Sequence, residues 1–249
     1  MKEWIVGRNP VYEVLRLRRR DCFRLRLAIG IDEKGRLPDI LQLAAQRKLP
    51  VERQPREILE QCGPHHQGVA LETSGYPYSH LEAILGLAEK RGEAPFLLIL
   101  DTLQDPQNLG ALLRTAEATG VHGVLLPLRQ TATITPAVVH ASSGACEHLL
   151  ITQVNLAQAI ARLKEKDIWV VGLEDSPQAQ LPERVRLDGA LAIVVGNEGE
   201  GLRRLIRDSC DLLVRLPMRG QIESLNAAVA GSIALYLAQQ SRARSSSHE

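Results

Sequence analysis

The chain has 249 residues, 45% hydrophobic and 24% charged, with a formal net charge of +1. That balance suits one or two globular domains and excludes a wholly disordered or collagen-like chain. No apolar run reaches the roughly 18 residues of a membrane span, and the opening MKEWIVGRNP lacks the apolar core of a secretory signal, so a cytoplasmic protein without membrane association is expected. Cys22, Cys62, Cys146 and Cys210 form no C-x-x-C pair and read as reduced structural thiols, with no metal site implied. Aromatic residues number only eight, which argues against capture of a single strand on several exposed rings.

Asn9-Pro10 predicts a helix start with Asn9 as cap, and Val11, Val14 and Leu15 give that helix an apolar face. A strand follows over 22–29, then an amphipathic segment near 36–47, a short strand around Val51, a helix over 55–61 and a strand over 69–72. Turn chemistry at Thr73-Ser-Gly-Tyr-Pro-Tyr-Ser79 and the polar stretch ending at Pro95 predict a linker at 75–94 between domains at 1–74 and 95–240. The second series reads strand 96–101, helix 108–119, strand 123–126, helix 135–141, helix 156–166, strand 168–173 and strand 190–195. A helix over 224–238, with Ser224 as N-cap, is apolar on several sides and so needs burial in the domain or in a homodimer interface. The tail 241–249 reads as disordered. Alternating strands and helices make this an α/β chain with a mostly parallel sheet covered on both faces.

Residues 1–75 carry 14 Lys and Arg against 10 Asp and Glu, while the remainder carries 16 against 19. Arg16, Arg18, Arg19, Arg20, Arg24 and Arg26 crowd one short stretch with only Asp21 opposing them. They form a candidate phosphate-contacting patch, with a solvated charged face as the competing reading.

Ligands of parallel α/β sheets sit at the carboxyl ends of strands. Three segments fall there: Asp105 to Arg114, Gly196 to Gly201, and Pro217 to Asn226. Gly196-Asn-Glu-Gly-Glu-Gly201 is G-x-x-G-x-G, not the G-x-G-x-x-G of a dinucleotide site, and no G-x-x-x-x-G-K-[ST] occurs, so a dehydrogenase or a nucleotide triphosphatase is disfavoured. The glycines still permit close backbone approach to a ligand, with Glu198 in the same loop; a plain structural turn is the alternative. Asn108 and Arg114 lie about 120° apart on a helical wheel, so one can line the site while the other reaches outward.

Asn108-Leu-Gly-Ala-Leu-Leu-Arg114, Gly196-Asn-Glu-Gly-Glu-Gly-Leu202 and Leu216-Pro-Met-Arg-Gly-Gln-Ile-Glu-Ser-Leu-Asn226 together resemble, in order and spacing, the three motifs of the SpoU (TrmH-type) RNA ribose 2'-O-methyltransferases. Ile5-Val-Gly-Arg-Asn-Pro10 and His66-Gln-Gly-Val-Ala70 are similar to the small RNA-binding domain of the bacterial large-subunit rRNA guanosine methyltransferases. The resemblance implies a SPOUT domain with a deep trefoil knot, a homodimer through that C-terminal domain, and an N-terminal domain similar to ribosomal protein L30e. It also implies S-adenosylmethionine as cofactor and a guanosine of 23S rRNA, in the peptidyl-transferase P-loop, as target, with 23S rRNA or its assembly precursor as partner. A tRNA ribose methyltransferase and a non-catalytic ribosome assembly factor are the alternatives.

Carried over by motif, Gly196, Leu216 and Leu225 fall at cofactor-binding positions, with Asn197, Gly201, Pro217 and Met218 in the same loops. Asn108, Arg114, Glu198, Ser224 and Asn226 fall at catalytic ones. Arg8, His66 and Gln67 join the arginine cluster as expected RNA contacts. Arg219-Gly-Gln-Ile-Glu223 departs from the Gly- and Val-rich loop common in the family, and Asn226-Ala-Ala replaces the frequent Asn-Val-Ser.

Overall fold

A computed structural model describes residues 2–129, 131–197, 199–221 and 224–245. The chain forms two compact units, residues 1–77 together with Thr133–His148, and residues 78–132 together with 149–249.

The first unit carries a four-stranded sheet of β1 (Lys2–Val6), β2 (Cys22–Ala28), β3 (Val51–Gln54) and β4 (Val69–Ser74) in the order β1-β4-β2-β3. The β2–β3 pair is parallel and β4 runs antiparallel to both of its neighbours. Helices α1 (Arg8–Leu17), α2 (Leu37–Gln46) and α3 (Arg56–Glu60) connect the strands. Gly7, at φ +97°, occupies the N-cap of α1, so Asn9 lies inside the first turn and does not cap it. The segment Thr133–His148 adds α6 (Pro136–Ala141) and a 3-10 turn, Ala145–His148.

The second unit is built on six parallel strands in the order β10-β8-β9-β5-β6-β7. They are β5 (Phe96–Leu100), β6 (Gly123–Pro127), β7 (Leu150–Val154), β8 (Trp169–Leu173), β9 (Leu191–Val195) and β10 (Leu212–Val214). Central β5, FLLIL, and β9, LAIVV, are buried at every residue, the continuous apolar run of a strand covered on both faces. Helices α4 (Leu81–Arg91), α5 (Pro106–Ala118), α7 (Leu156–Lys164), α8 (Arg204–Ser209) and α9 (Ala227–Ser245) complete the unit.

Helix α5 starts at a cap and a proline: the Asp105 carboxylate accepts from the Gln107 amide at 3.0 Å, and Pro106 opens the first turn. Its Leu109, Leu112, Leu113 and Ala116 are buried. Helix α9 crosses α5 closely because Gly231 has no side chain; a Cβ there would stand 2.6 Å from Leu112 Cδ2 and 3.0 Å from Val195 Cγ2. Thr115 and Ser232 seal the contact with a 2.9 Å hydroxyl pair.

Several expectations change. The stretch 75–94 is not bare linker, since α4 buries Leu81, Ile84 and Ala88. Strands β1 and β7 and helix α8 escaped the sequence reading. Asn226, not Ser224, caps α9: its Oδ1 accepts from the amides of Ala228 at 2.9 Å and Val229 at 3.1 Å. Helix α9 also runs through Ser245, into the stretch expected as disordered tail, of which residues 246–249 lie outside the described residues.

Candidate active site

A cavity of about 530 Å³ opens at the carboxyl ends of β8, β9 and β10, three neighbouring strands whose following loops form its wall. Gly196, Asn197, Gly199, Glu200 and Gly201 line it from the loop after β9, Leu216 and Met218 from the segment after β10, and Ser224 and Leu225 from the approach to α9. Pro217 stands between two lining residues without lining the cavity itself. Glu198 lies outside the described residues.

The glycine loop is folded back on itself. Asn197 and Gly201 exchange two backbone hydrogen bonds of 3.1 Å, and Gly201 adopts φ +66°. A Cβ on Gly196 would meet the Gly201 carbonyl oxygen at 2.3 Å and the Leu202 nitrogen at 2.7 Å, both backbone atoms that cannot rotate away. Gly196 is therefore dictated by backbone crossing, and it leaves main chain bare at the cavity wall.

Two ion pairs unseen in the sequence reading hold this loop. Asp101, fully buried at the end of β5, accepts from Arg203 Nε at 2.7 Å, and its other oxygen accepts from the Arg203 amide at 2.9 Å. That fixes the exit of the glycine loop into α8. Glu174, which follows β8, pairs with Arg207 Nε of α8 at 2.8 Å, and both line the cavity. Applying the strand-end rule to Gly172-Leu-Glu-Asp175 would have found Glu174; Arg203 and Arg207 had no signal beyond surface charge. Asp175, Glu200 and Arg215 also line the cavity, giving the described lining three carboxylates and two guanidiniums.

Asn226 Nδ2 donates to Asn108 Oδ1 at 3.1 Å, joining the start of α9 to the first turns of α5 beside the cavity lip formed by Leu225 and Ala227. Arg114 is exposed about two turns further along α5. The structure thus brings Asn108 and Asn226 together, puts Ser224 on the cavity wall and leaves Arg114 on the outer surface of its helix.

In the first unit the arginine cluster divides. Arg20 is enclosed: its side chain donates to Glu147 (Nη2 to Oε1, 2.7 Å), to Glu3 and to the Ser74 carbonyl oxygen. This corrects the reading of Arg20 as an RNA contact, because a guanidinium satisfied in the core offers nothing to phosphate. Arg19 donates to the Glu147 carbonyl oxygen at 2.7 Å, Arg24 pairs with Glu72 at 2.8 Å, and Arg26 pairs with Glu52 while covering the Trp4 ring. Arg16 and Arg18 are exposed, Arg16 pairing with Glu13. Elsewhere, the Arg8 side chain donates to the Asp32 and Lys34 carbonyl oxygens and its amide donates to Gln67 Oε1, while His66 Nδ1 accepts from the Gly68 amide.

Residues 95–236 match the SpoU rRNA Methylase family, and residues 4–79 match a family described as RNA 2'-O ribose methyltransferase substrate binding. The chain belongs to the SpoU (TrmH) family of RNA methyltransferases. YacO of Bacillus subtilis, assigned by name to the TrmH family of tRNA/rRNA methyltransferases, is 39% identical over 94% of both chains. A Staphylococcus aureus relative of the same designation is 39% identical over 93% of both. Among solved structures, the SpoU methyltransferase AviRb of Streptomyces viridochromogenes in complex with AdoMet superposes with a TM-score of 0.80 at 21% identity, covering 98% of this chain and 91% of that one. No described helix is long and apolar enough to cross a membrane.

Proposed function

We propose that the protein transfers the methyl group of S-adenosylmethionine to a ribose 2'-hydroxyl of RNA, with a guanosine of 23S rRNA in the peptidyl-transferase P-loop as target. The observation that carries this reading is the cavity beyond β8, β9 and β10. Its volume of about 530 Å³ suits a ligand of this size. Its described lining has one carboxylate more than guanidiniums, which complements a ligand whose sulfonium, ammonium and carboxylate sum to a single positive charge. When bound, S-adenosylmethionine supplies an electrophilic methyl group on sulfur.

Gly196, Asn197, Gly201, Leu216, Met218 and Leu225 would hold the cofactor, with bare main chain available to it at the Gly196 crossing; Pro217, off the cavity wall, would only set the path between Leu216 and Met218. Asn108 and Asn226 fix the lip against which the ribose is oriented, and Glu198 belongs with them in the catalytic set that the family motifs imply. Arg114 clamps the adjoining phosphate and stabilises the oxyanion that develops on the 2'-oxygen. It is not the base, because a guanidinium stays protonated with a pKa above about 12. The proton leaves through Ser224, a phosphate oxygen or water. Positioning of this kind supplies up to roughly 7–11 kcal/mol in well-oriented systems.

The C-terminal unit is proposed to form a knotted homodimer. Supporting the dimer, Val229, Ile233 and Tyr236 are exposed by 48, 39 and 50%, an apolar stripe at i, i+4 and i+7 of α9. Arg114, facing outward, then serves the site of a partner copy. RNA docking falls to Arg16 and Arg18, with Arg8, His66 and Gln67 shaping the neighbouring loops. A tRNA ribose remains the second reading, since the relatives' names cover both RNAs.

The test is methyl transfer from labelled S-adenosylmethionine to rRNA and tRNA from cells lacking the protein, with the product nucleoside identified by mass spectrometry. The expected product is 2'-O-methylguanosine in large-subunit rRNA. Label confined to tRNA selects the second reading, and failure to bind the cofactor overturns the enzyme.

A further inference from the structure

A second groove, of about 450 Å³, lies at the opposite end of the sheet from the cofactor cavity. Trp169, Gln180, Arg184, Arg186, Asp188 and Leu212 line it. Trp169 is the first residue of β8, whereas Leu173 at the other end of the same strand lines the cofactor cavity, a separation of roughly 13 Å along the strand.

Trp169 is 58% exposed, the most exposed of the eight aromatic residues. Leaving an indole in water is unfavourable, and Trp169 stands there because β10 pairs only with Val171 to Leu173 and stops short of it, while β8 from Val170 through Gly172 is buried. Arg184 is exposed on the 3-10 turn Pro182–Arg184; its amide donates to the Leu181 carbonyl oxygen at 3.0 Å, while its side chain makes no ion pair or hydrogen bond among the described residues. The one carboxylate in the lining, Asp188, is occupied, accepting from Arg186 at 3.0 Å and from Ser245 Oγ at 2.8 Å. Ser245 ends α9, and from the same helix Arg242 donates to the Gly189 carbonyl oxygen at the groove. The groove therefore joins one open aromatic face to an excess of guanidinium, with its only acid neutralised.

We infer that this groove is a distal docking site for single-stranded RNA, in which one nucleobase stacks on Trp169 and Arg184 engages a flanking phosphate. The inference rests on the reading of RNA as substrate. A π-face beside guanidinium is the pairing that binds bases without demanding their sequence. One platform at this distance from the reacting ribose holds a flanking strand and leaves selection of the target nucleotide to the catalytic side.

The test uses the full chain carrying Trp4→Phe, which leaves Trp169 as sole tryptophan, titrated with a 12-nucleotide oligouridylate while indole emission is followed. Emission is expected to be quenched, and Trp169→Ala to weaken oligonucleotide binding roughly 5- to 150-fold, the range for loss of one stacked base. Trp169→Phe keeps a stacking face and should recover most of that loss. Arg184→Ala should shallow the dependence of log affinity on log salt by about one. S-adenosylmethionine affinity, reported from the far end of the sheet, should be unchanged in all variants and certifies folding. Unquenched emission together with wild-type oligonucleotide affinity in Trp169→Ala overturns the site, as does emission that responds to protein concentration and not to RNA, which would make this a protein contact. If the wild type methylates RNA ribose while Trp169 fails these tests, only the docking site falls; if it neither binds nor methylates RNA, the substrate reading falls with it.

Discussion

Asn226 donates from Nδ2 to Asn108 Oδ1 at 3.1 Å while its Oδ1 caps α9, so one amide side chain sets both the start of that helix and its junction with α5. The two tasks use different atoms and are separable. Asn226→Asp retains the capping oxygen but loses the donor toward Asn108. Its unfolding free energy should stay within about 0.5 kcal/mol of wild type, whereas Asn226→Ala should cost about 1 kcal/mol. Both should lower methyl transfer at least about 10-fold. Full turnover in Asn226→Asp would show that the bridge to Asn108 has no part in orientation.

Gly196→Ala places a methyl group 2.3 Å from the Gly201 carbonyl oxygen, so the glycine loop must open. Overpacking of this sort costs about 1–3 kcal/mol. Because the strain falls on the cavity wall, cofactor affinity measured calorimetrically should drop at least about 10-fold. Unaltered affinity would mean the loop relaxes without reshaping the cavity.

Arg114→Lys preserves the charge and removes the planar fork. Turnover should fall by more than about 100-fold with cofactor affinity little changed, measured by single-turnover transfer and by calorimetry. Wild-type turnover would refute the phosphate clamp.

The Arg20–Glu147 pair lies in the core of the first unit, with side chains 0 and 1% exposed. Glu147→Ala leaves the buried guanidinium with Glu3 and the Ser74 carbonyl oxygen among its described partners, a partial loss of compensation that should destabilise that unit by up to about 3–5 kcal/mol in chemical denaturation. A loss below about 1 kcal/mol would mean that Arg20 swings out readily and is available to RNA after all.

Hydrogen bonds from Arg186 and then Ser245 depress the Asp188 carboxyl to a pKa of about 2, from the usual 3.8. A depressed carboxyl stabilises the fold fully above its unfolded pKa, and that contribution is lost as pH falls through the folded value. Between pH 4 and pH 2 the end of α9 should therefore loosen, seen as a shift of the Ser245 amide resonance. Asp188→Asn should show no such step.

How far the sequence could be read depended on the range of the forces involved. The motif loops were legible because strand ends and turn glycines are local signals, and the continuous apolar runs of β5 and β9 announce a buried parallel sheet; the Asp105-Pro106 start of α5, two residues before the expected 108, went unread. Helix α4 was hidden in polar sequence, although Leu81, Ile84 and Ala88 carry a helical spacing; its N-cap His80 makes no side-chain cap bond, so the usual start signal was missing. Strand β1 is short and half exposed and shows no clean alternation.

What the sequence determined by itself was the α/β class, two of the loops that line the cavity at the ends of β9 and β10, and the family that the motifs mark. Tertiary structure alone decided which charges are used up. Six similar arginines in one stretch cannot be told apart locally, because the carboxylate that buries Arg20 is 127 residues away, just as Arg203 meets Asp101 over a separation of 102. It also decided that Thr133–His148 folds with the N-terminal unit and that Trp169 stays in water. Local propensity acts over a few residues and writes itself into sequence. Charge pairing and burial depend on which distant segments meet, and only the folded chain brings those segments together.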